Sequence, residues 1–168
     1  LFDESVRFKV ILDNFFKCSF EVLRPNLTVE KQSAVHGPEL WWRDPELCCT
    51  IRKVLPLQQK LTELECWITG LRRDQATSRS DARAQEVYFL DGMCGRKIQK
   101  LNPVVNWSRE KVWTYIRRNR IPTHPLYCQG YRSIGCWPCT LKVLESEDER
   151  SGRWIGFGKT ECGIHTFM

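Results

Sequence analysis

The sequence predicts an α/β fold in a single domain, on three observations. Short apolar segments of β character alternate along the chain with segments of helical periodicity, the pattern of a sheet covered by helices. The length, 168 residues of which 42% are hydrophobic, suffices for one sizeable core and argues against two full domains. No uninterrupted apolar run approaches the ~20 residues of a membrane span, and seven Trp with eight Phe are far too many for a disordered segment.

The elements follow in order. From Asp3 to Phe16, the residues Val6, Phe8, Val10, Ile11 and Phe15 recur at three- and four-residue spacings, so an amphipathic helix is expected. Ser19 to Leu23 alternates and is closed by Pro25, which predicts a strand. A second helix opens near Thr28, with Glu30 in its first turn, and stops before Gly37-Pro38. A third helical run starts around Pro45 and carries Cys48, Cys49, Ile51, Val54, Leu57 and Leu61, with a kink or two abutting helices expected at Pro56. Cys66 to Leu71 reads as a compact strand ending at Gly70, with Cys66 in the core, and a polar loop runs from Arg72 to Arg83. Val87–Leu90 and Lys97–Leu101 are further strands around a turn at Asp91-Gly92. Ser108 opens a helix carrying Val112, Trp113, Tyr115 and Ile116. Beyond Pro125 the chain is loop-rich, and 150–168 is expected to be a mobile C-terminal tail.

Charge is uneven. The net charge is +6, divided as −2 over residues 1–49 and +8 over residues 50–168. A basic second half suits an anionic partner: nucleic acid, a membrane surface, or a phosphorylated or sulfated small ligand. It also suits an ordinary solvated face, the reading we give Arg117, Arg118 and Arg120 at a helix end. No basic segment followed by an apolar stretch follows Leu1, so no secretory signal is expected and the cytoplasm is the expected compartment.

Nine cysteines in a chain of this size and apolarity do not fit a disulfide-stapled scaffold, and reduced thiols used for metal or catalysis are the better expectation. Cys48-Cys49 are neighbours on a helical run, and Cys136-Trp137-Pro138-Cys139 is a Cys-x-x-Cys in a loop. Such a loop aims two sulfurs the same way, so four thiolates are candidates for a structural zinc or an iron–sulfur cluster. Neighbours on a helix point about 100° apart, which suits the separate corners of a cluster better than one small ion. Buried apolar cysteines or a redox dithiol at Cys136 and Cys139 are the competing readings. Arg52 and Lys53 follow Cys49 within one turn and bring a cation near the metal site. Arg72, Arg73 and Arg79 crowd the loop after Gly70, where open α/β sheets bind ligands. Arg150 and Arg153 are three apart, neighbours if helical; Arg forks match phosphate and sulfate oxygens. Cys162, with His165 three positions on, is a candidate nucleophile, a thiolate that a mobile tail delivers to a ligand. Cys18, Cys94 and Cys128 match no arrangement.

Five segments in order, 48–57, 67–75, 130–140, 152–154 and 161–165, resemble the assimilatory adenylyl-sulfate (APS) reductases of the phosphoadenylyl-sulfate (PAPS) reductase family. The resemblance implies a Rossmann-like sheet of the adenine nucleotide alpha hydrolase type, sandwiched by helices. It implies a [4Fe-4S] cluster on Cys48, Cys49, Cys136 and Cys139, with Cys162 as nucleophile. It implies phosphosulfate binding by Lys53, Arg79, Arg150 and Arg153, with Gly70 in the nucleotide pocket and His165 beside the nucleophile. The implied reaction reduces adenosine 5'-phosphosulfate (APS) to sulfite and AMP through an S-sulfocysteine, with thioredoxin or a glutaredoxin-like reductant as partner, and with neither nucleic acid nor membrane. A homo-oligomer is open to it. The alternatives are a cluster-containing PAPS reductase, a metal-stabilised nucleic-acid-binding module and an inactive remnant. The chain departs from the family pattern in three places. The family's Ser/Gly-rich nucleotide loop does not precede Leu1, so an N-terminally incomplete domain is expected; Thr-Leu-Lys-Val at 140–143 replaces Thr-Arg-Pro-Val, so one substrate contact is expected to be lost or moved to Lys142; and the loop after Gly70 is about a residue short.

Overall fold

In a computed structural model, residues 1–90, 96–144 and 148–165 are described. By their contacts they divide into two compact units: Leu1–Glu21, Arg72–Ala82 and Asn106–Thr160 form one, and Val22–Leu71, Arg83–Val105 and Glu161–Met168 the other.

The second unit holds the sheet. Its strands are β1 (Cys66–Ile68), β2 (Gln85–Phe89) and β3 (Lys97–Leu101), in the order β1-β3-β2. β1 pairs parallel with β3, placing Trp67 opposite Lys100, and β2 pairs antiparallel with β3, placing Tyr88 opposite Ile98. Period-two alternation then decides which side chains are buried. Tyr88, Leu90 and Ile98 join Leu61 in a core with Leu57 and Trp67 packed against it, while Val87 and Phe89 face outward. The expected turn at Asp91-Gly92 lies outside the described residues. Two strand readings are corrected. Ser19 to Leu23 is not a strand, because alternation without a pairing partner does not make a ladder; the chain leaves α1 (Asp3–Phe16) through Lys17 at φ 52°, and the Phe20 N–H donates to Asp13 Oδ1 instead. Cys66 is exposed and outside the core, because alternation along β1 turns Trp67 toward the core and Cys66 to the other face.

Within this unit, four α-helices precede the sheet. The Thr28 hydroxyl accepts the Lys31 N–H and starts α2 (Val29–His36) as the sequence predicted. A short α3 (Leu40–Arg43) leads to Asp44, whose carboxylate accepts the Leu47 N–H and caps α4 (Pro45–Cys49). The chain then passes through a π-helical turn, Thr50–Val54, into α5 (Leu55–Leu61). The Leu55 N–H reaches back five residues to Thr50 O, and Pro56, the next residue, has no N–H with which to rebuild the α-helical ladder. The expected interruption is therefore a widened turn ahead of the proline; such turns concentrate at functional sites.

The other unit is helix α1 together with α6 (Arg109–Arg118) and irregular chain. Ser108 Oγ accepts the Lys111 N–H at the start of α6. Arg117, Arg118 and Arg120 are exposed at its end. The polar loop from Arg72 contains two 3₁₀ turns, Arg73–Gln75 and Thr77–Arg79. No helix among the described residues is long and apolar enough to cross a membrane.

Candidate functional site

In the sheet unit, Cys48 and Cys49 are both buried where α4 gives way to the π turn. Gln32 of α2, 6% exposed, donates its amide N–H to Cys48 Sγ at 3.7 Å. Its oxygen accepts from Arg52 Nη1 at 3.3 Å. Arg52, one of the two cations expected near the cysteine pair, is thus linked to Cys48 through Gln32. Lys53 stands half-buried on the π turn. Gln32 gave no signal in the sequence, since a lone Gln in a polar helix looks like surface.

At the end of β1, Thr69 N–H donates to Leu101 O at 2.8 Å. The Thr69 hydroxyl meets the side chain of the fully buried Asn102, whose amide donates to Arg83 O at 2.7 Å. This buried network fixes Gly70, which is exposed, and a methyl group built on Gly70 meets no atom within 4 Å. In the same unit the terminal segment carries half-buried Cys162, followed by Gly163 at φ 86°, a left-handed conformation that glycine adopts without cost. His165 stacks on Trp67 of β1, ring centroids 5.4 Å apart and planes within 6°.

In the helical unit, Cys136 and Cys139 flank a 3₁₀ turn, Trp137–Cys139. The Cys136 carbonyl accepts from both the Cys139 N–H, at 3.0 Å, and the Thr140 hydroxyl, at 2.8 Å, which holds the turn closed. A return strand lies on this turn: Thr140 bridges Arg153, Leu141 N–H donates to Gly152 O at 2.8 Å, and Trp154 N–H donates to Cys139 O at 3.1 Å. Arg150 and Arg153 are brought together by a single hydrogen-bonded turn, in which the Arg153 N–H donates to Arg150 O at 2.9 Å, and both guanidinium groups approach the Trp154 ring. Residues 150–160 group with this unit and 161–165 with the sheet unit, so contacts divide the segment read as one tail.

The arginines of the 72–83 loop have separate tasks. Arg72 is an internal strut, ion-paired to Asp74 at 2.9 Å and to Glu149 at 2.8 Å. Arg73 donates to Ala82 O and to Asn106 Oδ1, each at 2.7 Å. Arg79 is buried and hydrogen-bonded to Gln75, which also accepts the Arg72 N–H. Gln75 is thus a second positioning residue that sequence reasoning passed over.

Within neither unit do the described residues gather three or more His, Cys, Asp or Glu side chains as a metal site. Cys48 and Cys49 lie in the sheet unit and Cys136 and Cys139 in the helical unit; thiolates are donors of the kind that zinc and iron–sulfur centres take.

The family model for the phosphoadenosine phosphosulfate reductase domain matches residues 1–142. The chain belongs to this family. It is 45% identical to an adenosine 5'-phosphosulfate reductase of Oceanobacillus iheyensis over 88% of this chain and 60% of the relative. It is 42% identical to one from Streptomyces coelicolor over 98% of this chain and 67% of the relative. Among solved structures, the phosphoadenylyl-sulfate reductase from Candida auris, a phosphate complex, superposes with a TM-score of 0.67 at 28% identity, covering 83% of this chain and 66% of that one. The chain thus spans about three fifths of the length of the Oceanobacillus relative. As a member of this reductase family it has the expected α/β architecture, with a mixed sheet.

Proposed function

We propose that this reductase-family protein reduces adenosine 5'-phosphosulfate to sulfite and AMP in the cytoplasm, with thioredoxin as electron donor. The observation that carries the reading is the pair of buried cysteines on α4 combined with the Cys-x-x-Cys turn, in a chain 42–45% identical to proteins named for APS reduction. The Cys162 thiolate attacks the sulfur of APS; the bond from sulfur to the bridging oxygen breaks and AMP leaves with the electron pair. The resulting S-sulfocysteine is attacked at Cys162 Sγ by a thiolate of thioredoxin, which releases sulfite. The second thiol of thioredoxin then resolves the mixed disulfide, restoring Cys162 and leaving thioredoxin oxidised. One reduction from sulfur(VI) to sulfur(IV) becomes two displacements.

The protein's own groups make the first displacement feasible. A thiolate approaching an anionic substrate is repelled, and each cation about 4 Å from a charge offsets roughly 4 kcal/mol at an effective dielectric of 20. Lys53, Arg79, Arg150 and Arg153 are the side chains assigned to that task, Gly70 leaves room for the nucleotide, and His165 orients the terminal segment. Cys48, Cys49, Cys136 and Cys139 would hold a [4Fe-4S] cluster, which when bound supplies fixed charge and rigidity, not electrons. The segment carrying Cys162 moves between substrate and thioredoxin. A second reading, reduction of the 3'-phosphorylated nucleotide, is favoured by the likeness to the Candida auris enzyme. Sulfite release from each nucleotide with reduced thioredoxin separates them: the proposal expects turnover of APS well above PAPS, and equal or reversed turnover contradicts it.

A further inference from the structure

Two segments of the helical unit carry arginines that the proposed function places on the phosphosulfate: the loop that begins at Arg72, with Arg79, and the turn at 148–153, with Arg150 and Arg153. One side chain reaches both. Arg72 Nε donates to Asp74 Oδ1 at 2.9 Å, and Arg72 Nη2 donates to Glu149 Oε2 at 2.8 Å, across 77 residues of sequence. The Arg72 side chain is 8% exposed and that of Glu149 18%, and a pair so far removed from water leaves an uncompensated charge when either partner is taken away. Each carboxylate is itself anchored. The second oxygen of Asp74 accepts the Arg109 N–H, at the first residue of α6, at 2.6 Å. Glu149 lies in a closed turn, where the Ser151 N–H donates to Asp148 O at 3.1 Å and the Arg153 N–H to Arg150 O at 2.9 Å. On the loop side, Gln75 Oε1 accepts the Arg72 N–H at 3.1 Å and a further hydrogen bond from Arg79 Nη1. A line of contacts therefore runs from Arg79 through Gln75 and Arg72 to Glu149, with Arg150 the next residue in the chain.

We infer that Arg72 is a positioning residue that couples these two segments, so that Arg79 and the Arg150–Arg153 turn are presented to one anion together. Arg72 does not bind the anion itself: two carboxylates face its single positive charge, so its part is geometric. A guanidinium can hold two carboxylates at once because its donors diverge in fixed directions from one plane, whereas a lysine is a compact point charge. The roles of Arg79, Arg150 and Arg153 toward the anion rest on the sulfonucleotide reading above; the coupling of the two segments does not.

The test makes Arg72→Lys in the intact protein carrying Cys162→Ser to stop turnover. Backbone hydrogen exchange is followed by mass spectrometry, affinity for APS by calorimetry, and Tm is recorded for each protein. The expected result is faster exchange in both 72–83 and 148–153, unchanged exchange in β3, and about tenfold weaker APS binding. Combined with Arg79→Gln or with Arg150→Gln, Arg72→Lys should cost much less than that factor, because a group it positions has gone; a packing role costs the same factor in every background. Glu149→Gln, which keeps an oxygen for Arg72, should retain most of the affinity, and Glu149→Leu should lose as much as Arg72→Lys. If Arg72→Lys fails to fold, the Glu149→Gln and Glu149→Leu proteins carry the same comparison. Faster exchange confined to one segment, or an equal cost in all backgrounds, overturns the inference and leaves the APS reading in place. Faster exchange in both segments, in a protein that binds no APS even with Arg72 intact, keeps the coupling and overturns the sulfonucleotide reading. Unchanged exchange together with no APS binding overturns both.

Discussion

His124 illustrates how a single buried side chain couples this protein to pH. It is 9% exposed, lines a cavity of about 360 Å³, and accepts the Leu126 N–H on Nδ1 at 3.2 Å, with Nε2 2.9 Å from Ser5 Oγ. Burial lowers its pKa below the ordinary 6.5, opposed by the carboxylate of Glu4. The unfolded chain therefore binds the proton more readily, so stability is complete above about pH 6.5 and declines as pH falls. Urea unfolding at pH 7.5 and 5.5 should show this loss, and His124→Asn, which keeps an acceptor for Leu126, should reduce it; an unchanged slope would contradict the assignment. Residue by residue, the cysteines were legible because spacing alone marks them. Gln32, Gln75 and Trp154 were not, because each acts through contacts that the sequence does not display.

At the scale of elements, local chemistry was the readable part. Thr28 and Ser108 accept N–H groups three residues on, and that geometry depends on nothing outside one turn. The failures were non-local. Ser19–Leu23 has the alternation of a strand without a ladder to join, and the position of Cys66 depended on which face of β1 met the core. Arg150 and Arg153 meet across one hydrogen-bonded turn, which then runs into a bridge with the distant Thr140. The break near Pro56 was foreseen, but not that it would take the form of a π turn directly after Cys49. Helix α2 clamps that junction through Gln32. Gln32→Leu keeps the volume and removes the N–H donor to Cys48, so we expect about tenfold or greater loss of metal retention against a chelator, with Tm little changed. Retention equal to wild type would reduce Gln32 to a packing residue.

For the whole molecule, charge asymmetry and cysteine placement limited the function more tightly than fold did, since an α/β sheet hosts many chemistries. Part of the +8 half is used in discrete contacts such as the ion pair of Arg72 with Glu149 and the approach of Arg153 to the Trp154 ring. Anaerobically purified protein should contain four irons and be brown, and Cys→Ser at 48, 49, 136 or 139 should each lower iron and colour together. Colourless, zinc-bearing protein would contradict the cluster. The central claim, that Cys162 takes the sulfonate directly from the nucleotide, is tested by incubating the protein with APS labelled in its sulfur, without reductant, and locating the label by peptide mass. The account predicts one sulfonate on Cys162, released as sulfite when reduced thioredoxin is added. Label that appears in the Cys162→Ser protein, or none at all on protein that still releases sulfite, would contradict it.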